Sequence, residues 1–165
     1  MSQSSEARST EFANQGKVQC YGSSAGLTIE GTYLVKKQVA VGKTVNIDVA
    51  PRDNEAVDWK NKITLQLSDI ELPIFASVML GFLPKAKFKR KDKGILIERQ
   101  EGKTFFSATQ GIGKAYALPV PIGQSFKIAD LVLSQLKAQS QCSDSDLILA
   151  ALRGSSALYK RQSKG

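Results

Sequence analysis

The sequence contains no histidine, and its 165 residues include only two cysteines, Cys20 and Cys142. Without histidine, Ser-His and Cys-His catalysis are excluded, together with every metal site that needs an imidazole ligand. The two cysteines are too few and too far apart to indicate a disulfide framework or a zinc site. No pair of carboxylates stands at a recognisable catalytic spacing, so we expect a protein that is not an enzyme and holds no metal or cofactor.

Long apolar runs are also missing. No segment approaches the roughly 20 apolar residues that a transmembrane helix needs, and residues 1–16 lack the apolar segment of a secretory signal. We therefore expect a cytoplasmic protein with no membrane partner. Residues 1–16 are rich in Ser, Gln, Glu and Asn, which predicts a disordered tail, and the rest of the chain suits one domain.

Negative charge is scarce, because 15 acidic residues stand against 23 basic ones and leave a net charge of +8. This balance predicts an acidic partner, with nucleic acid as the first candidate. Between residues 85 and 103, eight basic residues minus three acidic ones leave +5 of that total. Lysine and arginine contacts to phosphates supply affinity without reading sequence, and they make binding depend on salt.

Aromatic residues make up only 7% of the chain, but Phe88, Phe105 and Phe106 lie within or beside the basic segment. Aromatic side chains on a sheet can stack on bases. Phe105 and Phe106 point to opposite faces of one strand, so at most one is a core residue, and we assign Phe106 and Phe88 to binding. The alternative is a solvated basic hairpin with core phenylalanines. The only tryptophan, Trp59, is more typical of a corner anchor than of a stacking platform.

The clearest structural signal is a strand that leads directly into a helix. Apolar residues alternate with polar ones over residues 63–68, which predicts a half-buried strand. Ser68 and Glu71 then form a capping box, in which each side chain bonds the backbone of the other residue. Ile70, Ile74 and Val78 follow at helical spacing. Pro73 is tolerated only in the first turn of a helix, so we expect the helix to start a few residues later than the box indicates.

The rest of the chain repeats this order of strands followed by a helix. A second helix is predicted from an N-cap at Ser125, and a third over residues 143–159. Residues 22–24 form a hairpin turn or a bulge, and residues 33–41 form a short strand or a loop. Pro119 and Pro121 predict that the last strand is an edge strand or an irregular one. The remaining strands are predicted at 18–30, 43–49, 85–91, 94–99, 103–110 and 115–122.

Residues 58–71 (DWKNKITLQLSDIE) resemble the centre of the Whirly family of single-stranded-DNA-binding proteins, where an Asp-Trp corner leads into a strand and a short apolar helix. Residues 21–29 resemble a second motif of that family, with Tyr21, Ala25 and Leu27 matching and both motif lysines replaced. Further resemblances follow in the family's order at residues 46–51, 104–107 and 118–120.

The resemblance implies an α+β fold with two antiparallel four-stranded sheets, packed crosswise and built from the repeated unit. These sheets would occupy residues 17–141, and a C-terminal helix with a basic tail would occupy residues 142–165. It further implies a homotetramer that binds single-stranded DNA along and between sheets of neighbouring subunits, with little sequence preference. Such a protein would be nucleoid-associated and would act in DNA replication, recombination or transfer.

The motif positions, the basic segment and nearby lysines together define a predicted binding set. Its members are Tyr21, Ser23, Ser24, Lys36, Lys37, Lys60, Lys62, Lys85, Lys87, Phe88, Lys89, Arg90, Lys91, Lys93, Lys103 and Phe106. Two alternatives remain open at this point. One is an RNA-binding or annealing module of the same fold, since only contacts to the 2′-hydroxyl would separate RNA from DNA. The other is a protein-interaction domain whose basic hairpin meets an acidic protein.

Overall fold

The computed structural model describes residues 15–163, with side chains described as far as Leu158. The predicted disordered tail therefore lies outside the described residues except for Gln15 and Gly16. The basic side chains that end the chain lie outside them as well. The described backbone forms eight strands, three α-helices and one short 3₁₀ helix, and the strands and α-helices follow the order of strands, helix, strands, helix, helix, which confirms the repeated unit.

The first sheet is antiparallel, and its four strands follow one another in chain order. Its inward side chains are fully buried and include Leu27, Ile47 and Ile63, which confirms the period-2 pattern. Residues 33–41 belong to a long hairpin that turns at Lys37 and Gln38. The strands are β1 (Lys17–Tyr21), β2 (Ala25–Lys36), β3 (Val39–Pro51) and β4 (Ile63–Gln66).

The small residues between β1 and β2 form a tight hairpin turn. The Gly22 amide donates to the Ala25 carbonyl at 2.8 Å, which closes the turn around Ser23 and Ser24. A Cβ atom at Gly22 would lie 2.9 Å from Cβ of Leu118 in the second sheet. Glycine is required here because the turn packs directly against the other sheet.

The second sheet is also antiparallel with its strands in chain order, and its last strand lies at an edge, as Pro119 and Pro121 predict. Its inward side chains include Phe88, Ile95 and Phe106, which are at most 3% exposed. The strands are β5 (Lys85–Lys89), β6 (Lys93–Gln100), β7 (Lys103–Gln110) and β8 (Lys114–Pro121).

The helices are α1 (Glu71–Met79), α2 (Ile122–Gln139) and α3 (Ser145–Ser163). The capping box before α1 is confirmed. The Ser68 amide donates to Glu71 Oε1 at 3.0 Å, and the Glu71 amide donates to Ser68 Oγ at 3.2 Å. The predicted N-cap at Ser125 is wrong, since α2 begins at Ile122, directly after Pro121. The Ser125 hydroxyl instead lies 3.2 Å from the Val120 carbonyl oxygen, to which it donates.

One hydrophobic core joins the inward faces of both sheets to the helices. Phe75 of α1 lies near its centre and makes edge-to-face contacts with Phe88 and Phe106, at centroid distances of 6.4 and 6.2 Å. The observed architecture is the α+β fold with two antiparallel four-stranded sheets and a C-terminal helix that the sequence predicts. None of the helices within residues 15–163 has the length and apolarity to cross a membrane.

Candidate nucleic-acid interface

Three predicted binding residues form a line along β5, the edge strand of the second sheet. Lys85, Lys87 and Lys89 are exposed and alternate with the buried Ala86 and Phe88, so all three ammonium groups project from the outer face. Alternate residues on a strand are about 7 Å apart, so the charges form a regular row. We call these three residues the lysine edge.

The strand pairing places a second group of side chains beside the lysine edge. Lys87 pairs with Leu96, which pairs with Ser107, and in the next row Lys85 pairs with Glu98, which pairs with Phe105. Leu96 and Phe105 are half-buried, so each presents part of its apolar surface to solvent on the outer face. We call Leu96, Phe105 and Ser107 the outer platform.

The other outer positions of the second sheet are mostly small, but Glu98 lies between Lys85 and Phe105 and adds a negative charge beside the lysine edge. Gly94, Thr109, Ala115 and Ala117 occupy the outward positions around the platform. A polymer can therefore approach the backbone closely at Thr109, Ala115 and Ala117, on the side of the outer face next to β8. Phe105 lies two strand spacings from β5, about 10 Å, which separates the row of charge from the aromatic surface.

The predicted roles of Phe88 and Phe106 are corrected by their burial. Phe106 is 0% exposed and Phe88 is 3% exposed, and both pack against Phe75 in the core. Neither ring can stack on a base, since each points away from the outer face. Phe105, the residue before Phe106 on the same strand, occupies the outer face instead. The alternation of side chains along the strand predicts that Phe88 is buried, because it lies between lysines that must face solvent.

Arg90, which the sequence predicts to bind phosphate, makes structural contacts with Glu71 and Gln66. Its guanidinium donates to both carboxylate oxygens of Glu71, at 2.7 and 2.9 Å, and to the Gln66 carbonyl at 2.7 Å. Burial raises the pKa of the Glu71 carboxyl, but hydrogen bonds from Arg90 and Ser68 outweigh it, and the net pKa lies below its usual range. Arg90 therefore fastens the start of α1 to the end of β5.

Lys91 and Lys93 lie in and beside the turn between β5 and β6, next to the lysine edge. They border a shallow depression of about 350 Å³ that also includes Lys87 and Lys89. Asp92 lies in the same turn and reduces the local positive charge. Lys103 lies at the opposite end of the outer face, at the start of β7, where it pairs with Gln100.

Tyr21, Ser23 and Ser24 lie at the end of the first sheet that touches the second. Tyr21 is 57% exposed, and the Arg52 guanidinium carbon lies 5.9 Å from its ring centroid. Ser24 Oγ donates to the Ala117 carbonyl of β8 at 3.4 Å. Because Ala117 shares a row with Lys87 and Leu96, the turn extends the outer face beyond β8. Arg52 was not predicted from sequence, since its position opposite Tyr21 depends on the fold.

The remaining predicted lysines lie on or next to the first sheet and not on the outer face of the second sheet. Lys36 and Lys37 lie at the tip of the β2–β3 hairpin and are exposed. Lys62 lies 3.5 Å from the Asp48 carboxylate, which partly neutralises it, whereas Lys60 is exposed in a short 3₁₀ turn. Trp59 is half-buried in that turn.

The indole of Trp59 covers Gly26 on the outer side of the first sheet. A Cβ atom at Gly26 would lie 3.3 Å from the Trp59 ring and 2.7 Å from a methyl group of Val57. This contact agrees with the interpretation of Trp59 as a corner anchor. Among the described residues, no three acidic or cysteine side chains come together as a metal site would require.

Comparisons with known proteins support the fold and not the function. No family model matches the sequence, and no curated protein matches it either. A solved structure of MRP1/MRP2 from Trypanosoma brucei is similar with a TM-score of 0.54 and 11% identity, over 74% of this chain and 92% of that chain. A guide-RNA-binding protein complex bound to a guide RNA has a TM-score of 0.46 and 8% identity, over 66% and 88%. Whirly membership therefore remains a resemblance.

Proposed function

We propose that this chain binds single-stranded nucleic acid on the outer face of the second sheet, with little sequence preference and no catalytic step. The observation that carries the proposal is the lysine edge beside the outer platform. Lysine side chains contact phosphates without reading sequence, and an aromatic face stacks on any base. The two kinds of contact lie on one face of the same sheet, about 10 Å apart.

The arrangement favours a single strand over a duplex. In a duplex the flat faces of the bases are already stacked on one another, so the Phe105 ring would have no base to contact. Only the phosphate contacts of the lysine edge would remain for a duplex. A single strand can use both the charge and the platform, and it therefore binds more tightly under equal conditions.

DNA is our first assignment, because the sequence resemblance is to DNA-binding proteins that act in replication, recombination or transfer. RNA fits the same surface comparably, since phosphate contacts and base stacking are common to both polymers. A protein distinguishes RNA from DNA through contacts to the 2′-hydroxyl. The side chains of the outer platform do not define such a contact. An RNA-binding or annealing role would therefore use the same surface, and the test described below distinguishes it from DNA binding.

We also propose that the chain forms a homo-oligomer, with a tetramer as the first assignment. Ile122 and Phe126 at the start of α2 are 70% and 72% exposed, and they line a surface cavity with Met79 and Leu80. Exposed apolar side chains grouped in this way mark an interaction surface. Lys103 also lines this cavity, so a second copy that covers it would lie against the end of the outer face at which β7 begins.

The test is fluorescence anisotropy of a labelled oligo(dT), with an unlabelled duplex and a matched RNA strand as competitors. The proposal expects tight binding that weakens with salt and is not reversed by the duplex. Tighter binding of the RNA competitor would move the assignment to RNA. Displacement by an equal amount of duplex would leave only a basic patch, and the absence of binding would favour a protein-interaction domain.

A further inference from the structure

Apart from the Lys89 carbonyl, the backbone groups at the outer edge of β5 have no hydrogen-bond partner among the described residues. The Arg99 amide donates to the Pro84 carbonyl at 2.8 Å, and the Arg90 amide donates to the Lys93 carbonyl at 2.7 Å. In an antiparallel pair, the residues that exchange hydrogen bonds alternate with those that do not. The even-numbered residues from 84 to 90 therefore direct their amides and carbonyls towards β6.

The odd-numbered residues of β5, which form the lysine edge, direct their backbone groups away from the sheet. The amides and carbonyls of Lys85 and Lys87 thus face the open side of the edge strand. The carbonyl of Lys89 already accepts a hydrogen bond from Arg90 Nη1 at 2.9 Å. An edge of this kind can accept another extended segment through backbone hydrogen bonds.

An apolar groove runs beside this edge. It has a volume of about 710 Å³ and is bounded by β5, the start of α1 and the later part of α3. Ile70, Ile74 and Leu158 line it and are 74%, 37% and 64% exposed. Ala86 and Phe88 form its wall on the side of β5. Apolar surface is therefore available on the inner side of the edge, and lysine charge on the outer side.

We propose that an extended peptide segment that alternates apolar and acidic residues binds here as a fifth strand of the second sheet. Successive side chains of a strand point to opposite faces. One set would enter the groove beside Ile70 and Ile74, and the other would lie beside the ammonium groups of Lys85 and Lys87. The apolar groove on one side and the lysines on the other therefore predict a partner segment in which apolar and acidic residues alternate.

Charge argues against a second copy of this chain as the occupant. Pairing β5 with β5 of another copy would bring two rows of lysines together, and like charges on adjacent strands are destabilising. An acidic segment neutralises the same row. Peptide binding here does not depend on the proposed nucleic-acid binding. Both partners would use the lysine edge, however, so a bound peptide and a bound nucleic acid would exclude each other.

The test measures the anisotropy of a labelled peptide of about six residues, the length that spans β5, with alternating glutamate and valine. Lys87→Ala removes one charge and is expected to weaken binding about threefold. Lys87→Pro also removes the amide at the open edge and leaves the bonds to β6 intact, so we expect a further loss of about tenfold. Circular dichroism and a urea titration establish that both variants are folded.

The pair Ile70→Ser and Ile74→Ser tests the groove without changing β5, and about tenfold weaker binding is expected from the lost apolar contact. Leu147→Ser is the control, since Leu147 is 62% exposed on α3 and does not line the groove. Equal binding of a peptide with its glutamates and valines in separate blocks would overturn the proposal. Equal affinities of the proline and alanine variants, or no binding of the alternating peptide, would also overturn it.

Discussion

Replacing the lysine edge by alanine should make oligonucleotide binding markedly less sensitive to salt. Lys85, Lys87 and Lys89 are exposed, make no ion pair among the described residues, and point to one face. Surface substitutions of this kind usually change the free energy of unfolding by no more than about 0.5 kcal/mol. A change in affinity in the triple variant therefore reports lost contacts rather than lost folding.

The size of the effect follows from counterion release. Each phosphate contact to a single strand contributes about 0.7 to the slope of log affinity against log salt, so three contacts contribute about 2. Between about 50 mM and about 200 mM salt, that difference reduces the affinity ratio of wild type to variant by about 20-fold. The wild type should bind more tightly than the variant at low salt, and this difference in affinity should shrink as salt rises. The reason is that salt weakens the phosphate contacts that the variant lacks.

The assay is anisotropy of labelled oligo(dT) at four or more salt concentrations. The control is a triple variant with the same loss of charge elsewhere, Lys17→Ala, Lys127→Ala and Lys137→Ala. These lysines lie on β1 and α2, outside the outer face of the second sheet. The reasoning is refuted if the two triple variants show the same slope, since net charge alone would then explain the salt dependence.

Three further predictions concern single positions. Phe105→Ala should weaken oligonucleotide binding by about 1–3 kcal/mol without changing the urea midpoint, whereas Phe106→Ala should lower the free energy of unfolding by about 3–5 kcal/mol. Glu71→Gln keeps the capping box but loses the charge pairing with Arg90, so we expect about 1 kcal/mol lower stability at neutral pH. Because the folded-state pKa of Glu71 is lowered, this difference is complete above the usual glutamate value of about 4.3 and disappears as pH falls through the lowered pKa. Phe126→Ser should shift the oligomer towards smaller species in sedimentation, and an unchanged mass would contradict the proposed interface.

The local features of this fold could be predicted from the sequence because they depend on short-range chemistry. The capping box at Ser68 and Glu71 needs only two residues three positions apart, and it forms as predicted. The alternation over residues 63–67 gives the strand, and the two prolines near 120 give the edge position of β8. The N-cap predicted at Ser125 is wrong, because α2 begins at Ile122 with Pro121 at the N-cap position.

The binding face was only partly predictable. The lysines of β5 alternate with Ala86 and Phe88, and this alternation alone would have placed Phe88 inside. Phe105 and Phe106 are adjacent and equally apolar, so the strand itself does not decide which one is buried. The decision comes from Phe75 of α1, which fills the space against Phe106 and lies about 30 residues away in sequence.

Contacts between distant parts of the chain could not be derived from local patterns. Arg90 has the residue type and the basic neighbours of a phosphate ligand, but its guanidinium pairs with the carboxylate of Glu71, 19 positions earlier. Arg52 and Tyr21 approach each other only because β1, β2 and β3 are adjacent in the first sheet. Such pairings are set by strand order, which a single sequence does not display.

The central claim is that the outer face of the second sheet is the surface that holds a single strand. Photo-cross-linking of an oligonucleotide that carries iodinated uracil, followed by mass spectrometry, tests it most directly because it identifies the residue in contact with a base. The account predicts that the cross-link maps to Phe105 or its β7 neighbours and is lost on addition of unlabelled oligo(dT). Cross-links confined to the first sheet or to the helices would contradict it.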